Sequence, residues 1–130
     1  MKILVFVHLA FMAATVFLVI SAAVIVFRKK KGWFLLHRKV ALSGVAAALA
    51  GFLAEFIFKW AMQYPHFRSP HAIAGLITLV LLLITPAAGA MIPKNQNIMR
   101  PVHMALGRIT AVAVAATAIM GAVRFIQLSS

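Results

Sequence analysis

The chain has 130 residues, 65% of them hydrophobic, with no cysteine, thirteen Lys and Arg, and one acidic residue, Glu55. The lack of cysteine excludes disulfides and iron–sulfur clusters. The formal charge of +12 does not indicate a nucleic-acid partner, because the basic residues lie in short connections between apolar runs rather than on one soluble face.

Four apolar runs cover about residues 3–27, 33–58, 70–92 and 101–126. Each exceeds the roughly 20 residues that cross a bilayer. They predict an all-α membrane protein, a four-helix transmembrane bundle of up-down-up-down topology, in a single domain spanning 1–130. The first run follows Lys2 and contains S-A-A, both features of a signal peptide, but its core is longer than the roughly 7–15 residues of such a segment. It is read as a retained helix, and it carries His8. The second run carries His37, Gly44, Gly51 and Glu55. The third opens on Ser69-Pro70-His71 and contains Gly75 and Gly89. The fourth opens on Arg100-Pro101-Val102-His103, with Gly107 and Gly121 further on. Pro101 suits the first position of that helix, where a missing N–H costs nothing.

Charge sets the orientation. Arg28, Lys29, Lys30, Lys31, Arg38, Lys39, Lys94, Arg100 and Arg108 fall on one side, and Lys2, Lys59, Arg68 and Arg124 on the other. Nine against four puts both termini outside and the first and third loops in the cytoplasm. Trp33, Trp60 and Tyr64 flank the spans as interfacial aromatics.

Four of the five histidines fall one per span, each near the start of its helix. Alternating direction then sets His8 level with His71 near the outer face, and His37 level with His103 near the inner face. Ionisable groups in membrane spans are costly and usually face the bundle interior. Two imidazoles per level, with no carboxylate or thiol beside them, are too few for a structural zinc site. They match the axial ligands of a six-coordinate b-type haem, giving two haems per chain. The glycines suit a flat cofactor. Gly75 and Gly107 stand four residues after a histidine, on the same helical face. Gly89 and Gly121 stand eighteen after it, five turns and about 27 Å along the axis, at the depth of the other haem. Gly44 on the second helix is a further cofactor-facing candidate and also forms a small-xxx-small pair with Ala48. Glu55, eighteen residues after His37, should face inward near the outer haem. It either pairs with Lys59 at i+4 or handles protons.

Three stretches carry a resemblance. A-V-I-V-F-R at 23–28, S-P-H-A-I-A-G at 69–75 and R-P-V-H at 100–103 are similar, in order and spacing, to segments of the cytochrome b561 family of transmembrane di-haem electron carriers. The resemblance implies an oxidoreductase with outer-haem ligands His8 and His71 and inner-haem ligands His37 and His103. It also implies a cytoplasmic donor site near Arg28, Lys31 and Lys39, and an outer acceptor region at Ser69, His71 and the preceding loop. The family typically has six spans, whereas this chain has four, and Ala41 stands where many relatives have a second histidine. Donor candidates are ascorbate or a membrane quinol; acceptor candidates are a ferric chelate or a partner protein. Arg38, Lys39, Arg100 and Arg108 suit inner-haem propionates, and Arg100 also borders the donor side. His66 is expected to be solvated in the outer loop, where it could receive electrons or protons. The expected surroundings are membrane lipid, in a plasma membrane if the source is bacterial, and a second copy of the chain is a further candidate partner. The competing readings are a haem-free proton-coupled exporter that uses Glu55 and a membrane assembly subunit.

Overall fold

The computed structural model describes residues 2–129 as four helices: α1 Lys2–Arg28, α2 Trp33–Ala61, α3 Pro70–Met91 and α4 Gln96–Ser129. All four are long and apolar enough to cross a bilayer. They form an antiparallel bundle, α1 and α3 running one way and α2 and α4 the other.

The connections explain where the helices stop. Between α1 and α2, Lys29 and Gly32 take left-handed backbone angles, with φ of 41° and 77°. Gly32 does so without strain because it has no Cβ. Ser69 caps α3, its hydroxyl accepting the Ala72 N–H at 3.2 Å, and Pro70 follows at the first helical position. The fourth helix differs from the sequence expectation. It begins at Gln96, and Pro101 lies inside it. The Met99 N–H already reaches the Asn95 carbonyl at 2.9 Å, so the turn before Pro101 is formed. A proline there removes one backbone bond near the helix end, where first-turn groups can turn to water.

Large apolar side chains such as Phe6, Phe17, Phe27, Leu53, Ile77 and Val112 point outward, while the buried set is dominated by Ala22, Ala47, Ala48, Ala54 and Ala88. That inversion suits lipid outside and close helix approach inside. Helix α1 packs broadly on α2, and α3 on α4. Contacts between these two hairpins are sparser, and the diagonal pairs α1/α3 and α2/α4 make no close backbone contact. The seam between the hairpins is therefore the looser one. Ala48, Leu82 and Val114 close it at mid-depth, with Val19 packed against them. Each of these four residues stands eleven positions after the span histidine of its own helix.

Gly44 belongs to the hairpin seam. A Cβ on it would lie 3.4 Å from Leu18 Cβ and 3.5 Å from Val19 Cγ2. The cofactor-facing role expected for it is therefore not what this face of α2 presents, because position 44 turns toward α1. The small-xxx-small pairing with Ala48 describes it better.

Candidate functional site

Two pairs of imidazoles face each other across the seam between the hairpins, one near each end. The His8 and His71 ring centroids are 6.4 Å apart, with their planes at 80°. Those of His37 and His103 are 6.2 Å apart, at 84°. Each pair joins diagonal helices, so the rings meet where the backbones do not.

Three of the four rings are tied by Nδ1 to a carbonyl of the neighbouring helix in their own hairpin. His8 donates to Gly51 O at 2.9 Å, His37 to Ala22 O at 3.0 Å and His103 to Thr85 O at 2.9 Å. A carbonyl can only accept, so Nδ1 carries the proton and Nε2 keeps its lone pair for another partner. The fourth ring has the matching neighbour. Thr117 occupies the matching position on α4, but the His71 Nδ1 is buried without a hydrogen bond. The three carbonyls obey one rule: each belongs to the residue fourteen positions after the histidine of the partner helix.

The glycines fall into two groups. A Cβ on Gly121 would stand 2.9 Å from His71 Cε1, and one on Gly89 would stand 3.0 Å from both Cε1 and Nδ1 of His103. These residues make room for the imidazole of the facing helix. Around Gly107 nothing lies within 4 Å of an added Cβ, and around Gly75 only Thr117 Cγ2 does, at 4.0 Å. Beside each of these two histidines the helix face is bare and opens on free space.

This arrangement passes the test for an axially ligated macrocycle. Two imidazoles on opposite sides of one metal need centroids roughly 6 Å apart, about 2 Å of bond and about 1 Å of ring on each side. Both pairs have that separation. Among the described residues no three histidines or acids gather at one point, so each centre offers two ligands and leaves the remaining positions to the cofactor. Open space beside Gly75 and Gly107 supplies the width. Haem b fits both places on these grounds.

Other predicted site residues lie around the two ends. Arg28 and Lys31, with Lys30, border a cavity of about 430 Å³ whose walls are Phe17, Ile20, Val24, Ile25, Trp33 and Leu36. Arg38, Lys39, Arg100 and Arg108 are exposed on the surface at that same end of the bundle. At the other end, Glu55 Oε1 lies 3.4 Å from Lys59 Nζ, and the same ammonium donates to the His66 carbonyl at 3.3 Å. That contact folds the loop back onto α2. His66 is consequently not solvated as expected: its ring stacks on Phe56 with centroids 4.2 Å apart, and its Nδ1 is buried and unpaired. Ser69 is occupied as the α3 cap.

Sequence reasoning missed a set of threonines. Thr78 and Thr117 share a hydroxyl bond of 2.8 Å across α3 and α4, and Thr85 and Thr110 share another of 2.8 Å. The signal was present: α3 and α4 both read His, then Thr seven residues later, then Thr after fourteen.

Comparison with known proteins gives one result. No match was found among curated proteins or among solved structures. The family described as eukaryotic cytochrome b561 matches residues 2–127. With that match extending over all four membrane helices and both histidine pairs, the chain belongs to the cytochrome b561 family, multi-pass membrane proteins that bind haem b and carry out transmembrane electron transfer.

Proposed function

We propose that the chain holds two b-type haems, one between His8 and His71 and one between His37 and His103, and passes single electrons between the two membrane faces. The observation that carries this reading is the pair of facing imidazoles at each end, 6.4 and 6.2 Å apart. When bound, haem b supplies a one-electron ferric/ferrous couple. The residues do the rest. His8 with His71, and His37 with His103, would each hold one haem from both sides and so leave its iron closed to oxygen and substrate. Backbone carbonyls of Gly51, Ala22 and Thr85 hold three of those rings in one tautomer and raise their donor strength. The alanine-rich, lipid-wrapped interior excludes water. Positive charge from Arg38 and Arg108 at one end, and Lys59 and Arg124 at the other, complements propionates.

The donor reaches the inner end, where Arg28, Lys30 and Lys31 border the apolar cavity. Those walls favour an amphipathic donor such as a quinol over ascorbate, which has no apolar part to bury. The acceptor side is the His66–Ser69 loop, serving a ferric chelate or a partner protein. The exporter reading rests on Glu55 alone, and Glu55 is engaged by Lys59.

The purified protein tests this directly. A sharp Soret band with a reduced α-band, two haems per chain and a low-spin ferric signal are expected; a colourless chain that takes up no haem on reconstitution sinks the reading. Reduction assayed with a quinol analogue and with ascorbate then distinguishes the donors.

A further inference from the structure

Four threonines lie in the α3–α4 seam, and none of them can ligate a metal in the histidine pairs. Thr78 and Thr110 stand seven residues after His71 and His103, and Thr85 and Thr117 stand fourteen after. Thr78 and Thr110 are buried, Thr110 to within 3% of full exclusion. Placing hydroxyls there is costly unless they are bonded, and both are.

The proton count fixes the direction of one pair. Thr85 Oγ1 donates its only proton back to the Leu81 carbonyl at 2.7 Å. In the 2.8 Å contact with Thr110, Thr110 is therefore the donor and Thr85 the acceptor. Thr85 is thus held by α4 at two points seven residues apart: its hydroxyl oxygen by Thr110, and its carbonyl oxygen by His103 Nδ1 at 2.9 Å. Between them these contacts fix both the axial stagger and the rotation of α3 against α4, which decide whether that carbonyl meets the imidazole.

At the other end the same residues recur with a different outcome. Thr117 is bonded through its hydroxyl to Thr78 at 2.8 Å, and Thr78 also points at the Ala113 carbonyl, 3.4 Å away. The His71 Nδ1 nevertheless makes no hydrogen bond. One end of the α3–α4 seam is a closed clamp, and the other has its hydroxyl contacts without the bond to the ring.

We infer that Thr110 and Thr85 are positioning residues for the inner haem: their hydroxyl bond holds the Thr85 carbonyl on His103 Nδ1 and so sets the donor strength of that axial ligand. The inference rests on the two-haem reading above. A bonded Nδ1–H makes the imidazole a stronger donor, which favours ferric over ferrous iron and lowers the midpoint potential. Loosening the clamp raises it. Thr78 serves as an internal control, because the ring at its end has no Nδ1 bond to lose.

The test is potentiometric titration of the holoprotein with each haem followed by its own absorbance. In Thr110→Val the inner haem should be about threefold more reduced at the wild-type midpoint, about 30 mV at 59 mV per tenfold for one electron. The outer haem should be unmoved. Thr110→Ser should restore the wild-type value, and Thr78→Val should shift neither haem comparably. Should Thr110→Val fail to assemble, Thr85→Val removes the same hydroxyl bond while keeping the carbonyl, and the same inner shift is expected. Unchanged potentials with both haems retained would overturn the inference, as would equal shifts in Thr110→Val and Thr78→Val, which indicate general loosening. A wild-type chain that binds one haem or none fails earlier and separately, at the two-haem reading.

Discussion

Gly121 leaves no room for a methyl group, because a Cβ there would stand 2.9 Å from Cε1 of His71. Any shift of the His71 ring to admit that methyl group alters its 6.4 Å spacing to His8. On the proposed two-haem reading, Gly121→Ala should therefore lower haem content by about half, the loss confined to the haem between His8 and His71. In a helix interior the same change adds up to about 1 kcal/mol of propensity, so the chain itself should still fold. Haem extraction with a pyridine haemochrome assay measures the loss.

Gly107 makes the opposite case, with nothing within 4 Å of an added Cβ. Filling that space with a large side chain meets no protein atom close by, only whatever occupies the space beside His103. Gly107→Leu should weaken inner-haem binding at least tenfold, about 1.4 kcal/mol, with helicity by circular dichroism unchanged in the haem-free chain. Equal haem affinity in wild type and variant would place the macrocycle elsewhere.

Deleting a ligand tests the pairing. His103→Ala should lose the inner haem while keeping the outer, and added imidazole should restore part of its spectrum by occupying the vacated axial position. Loss of both haems together would mean that the two levels are not independent.

Glu55 and Lys59 form an i,i+4 pair, half-buried at the His8–His71 end of the bundle. Glu55→Gln should cost roughly 0.2–0.5 kcal/mol of stability, the ordinary worth of such a pair, seen as a small fall in melting temperature. Removing a negative charge on the His71 side should also make the outer haem easier to reduce, without changing haem content. A large loss of haem would assign Glu55 a part in binding.

At the inner cavity, Arg28→Gln with Lys31→Gln should slow reduction by an anionic donor more than by a neutral quinol. The wild-type rate with the anionic donor should fall as salt rises, because exposed charges are screened within about 10 Å at 0.1 M. Stopped-flow reduction at two ionic strengths reads both effects.

Much of this was legible in the sequence because it depends on counting along one helix. The four spans follow from apolar length, and equal depth of His8 with His71, and of His37 with His103, follows from alternating direction. What could not be counted was which atom of one helix faces which atom of its neighbour. Spacing sets Gly89 and Gly121 eighteen residues after a histidine, but it does not say that they stand against the imidazoles of His103 and His71. The carbonyls of Gly51, Ala22 and Thr85 carry no side-chain signature. Gly44 was misjudged because a glycine that admits a cofactor and one that admits a helix look alike in sequence. The start of α4 was set too late because Pro101 reads as a first-turn residue, whereas Gln96–Arg100 forms a polar turn ahead of it.

The mid-depth layer of Val19, Ala48, Leu82 and Val114 has an energetic consequence. No ionisable side chain lies in it, so nothing there can carry a proton alongside an electron. A charge moving between the two histidine levels therefore travels uncompensated through much of the bilayer's electric field. On the proposed route from one histidine level to the other, such a step would be electrogenic, worth up to about 2.3 kcal/mol per 100 mV of membrane voltage. In sealed vesicles the turnover should then speed up or slow down as the voltage is reversed.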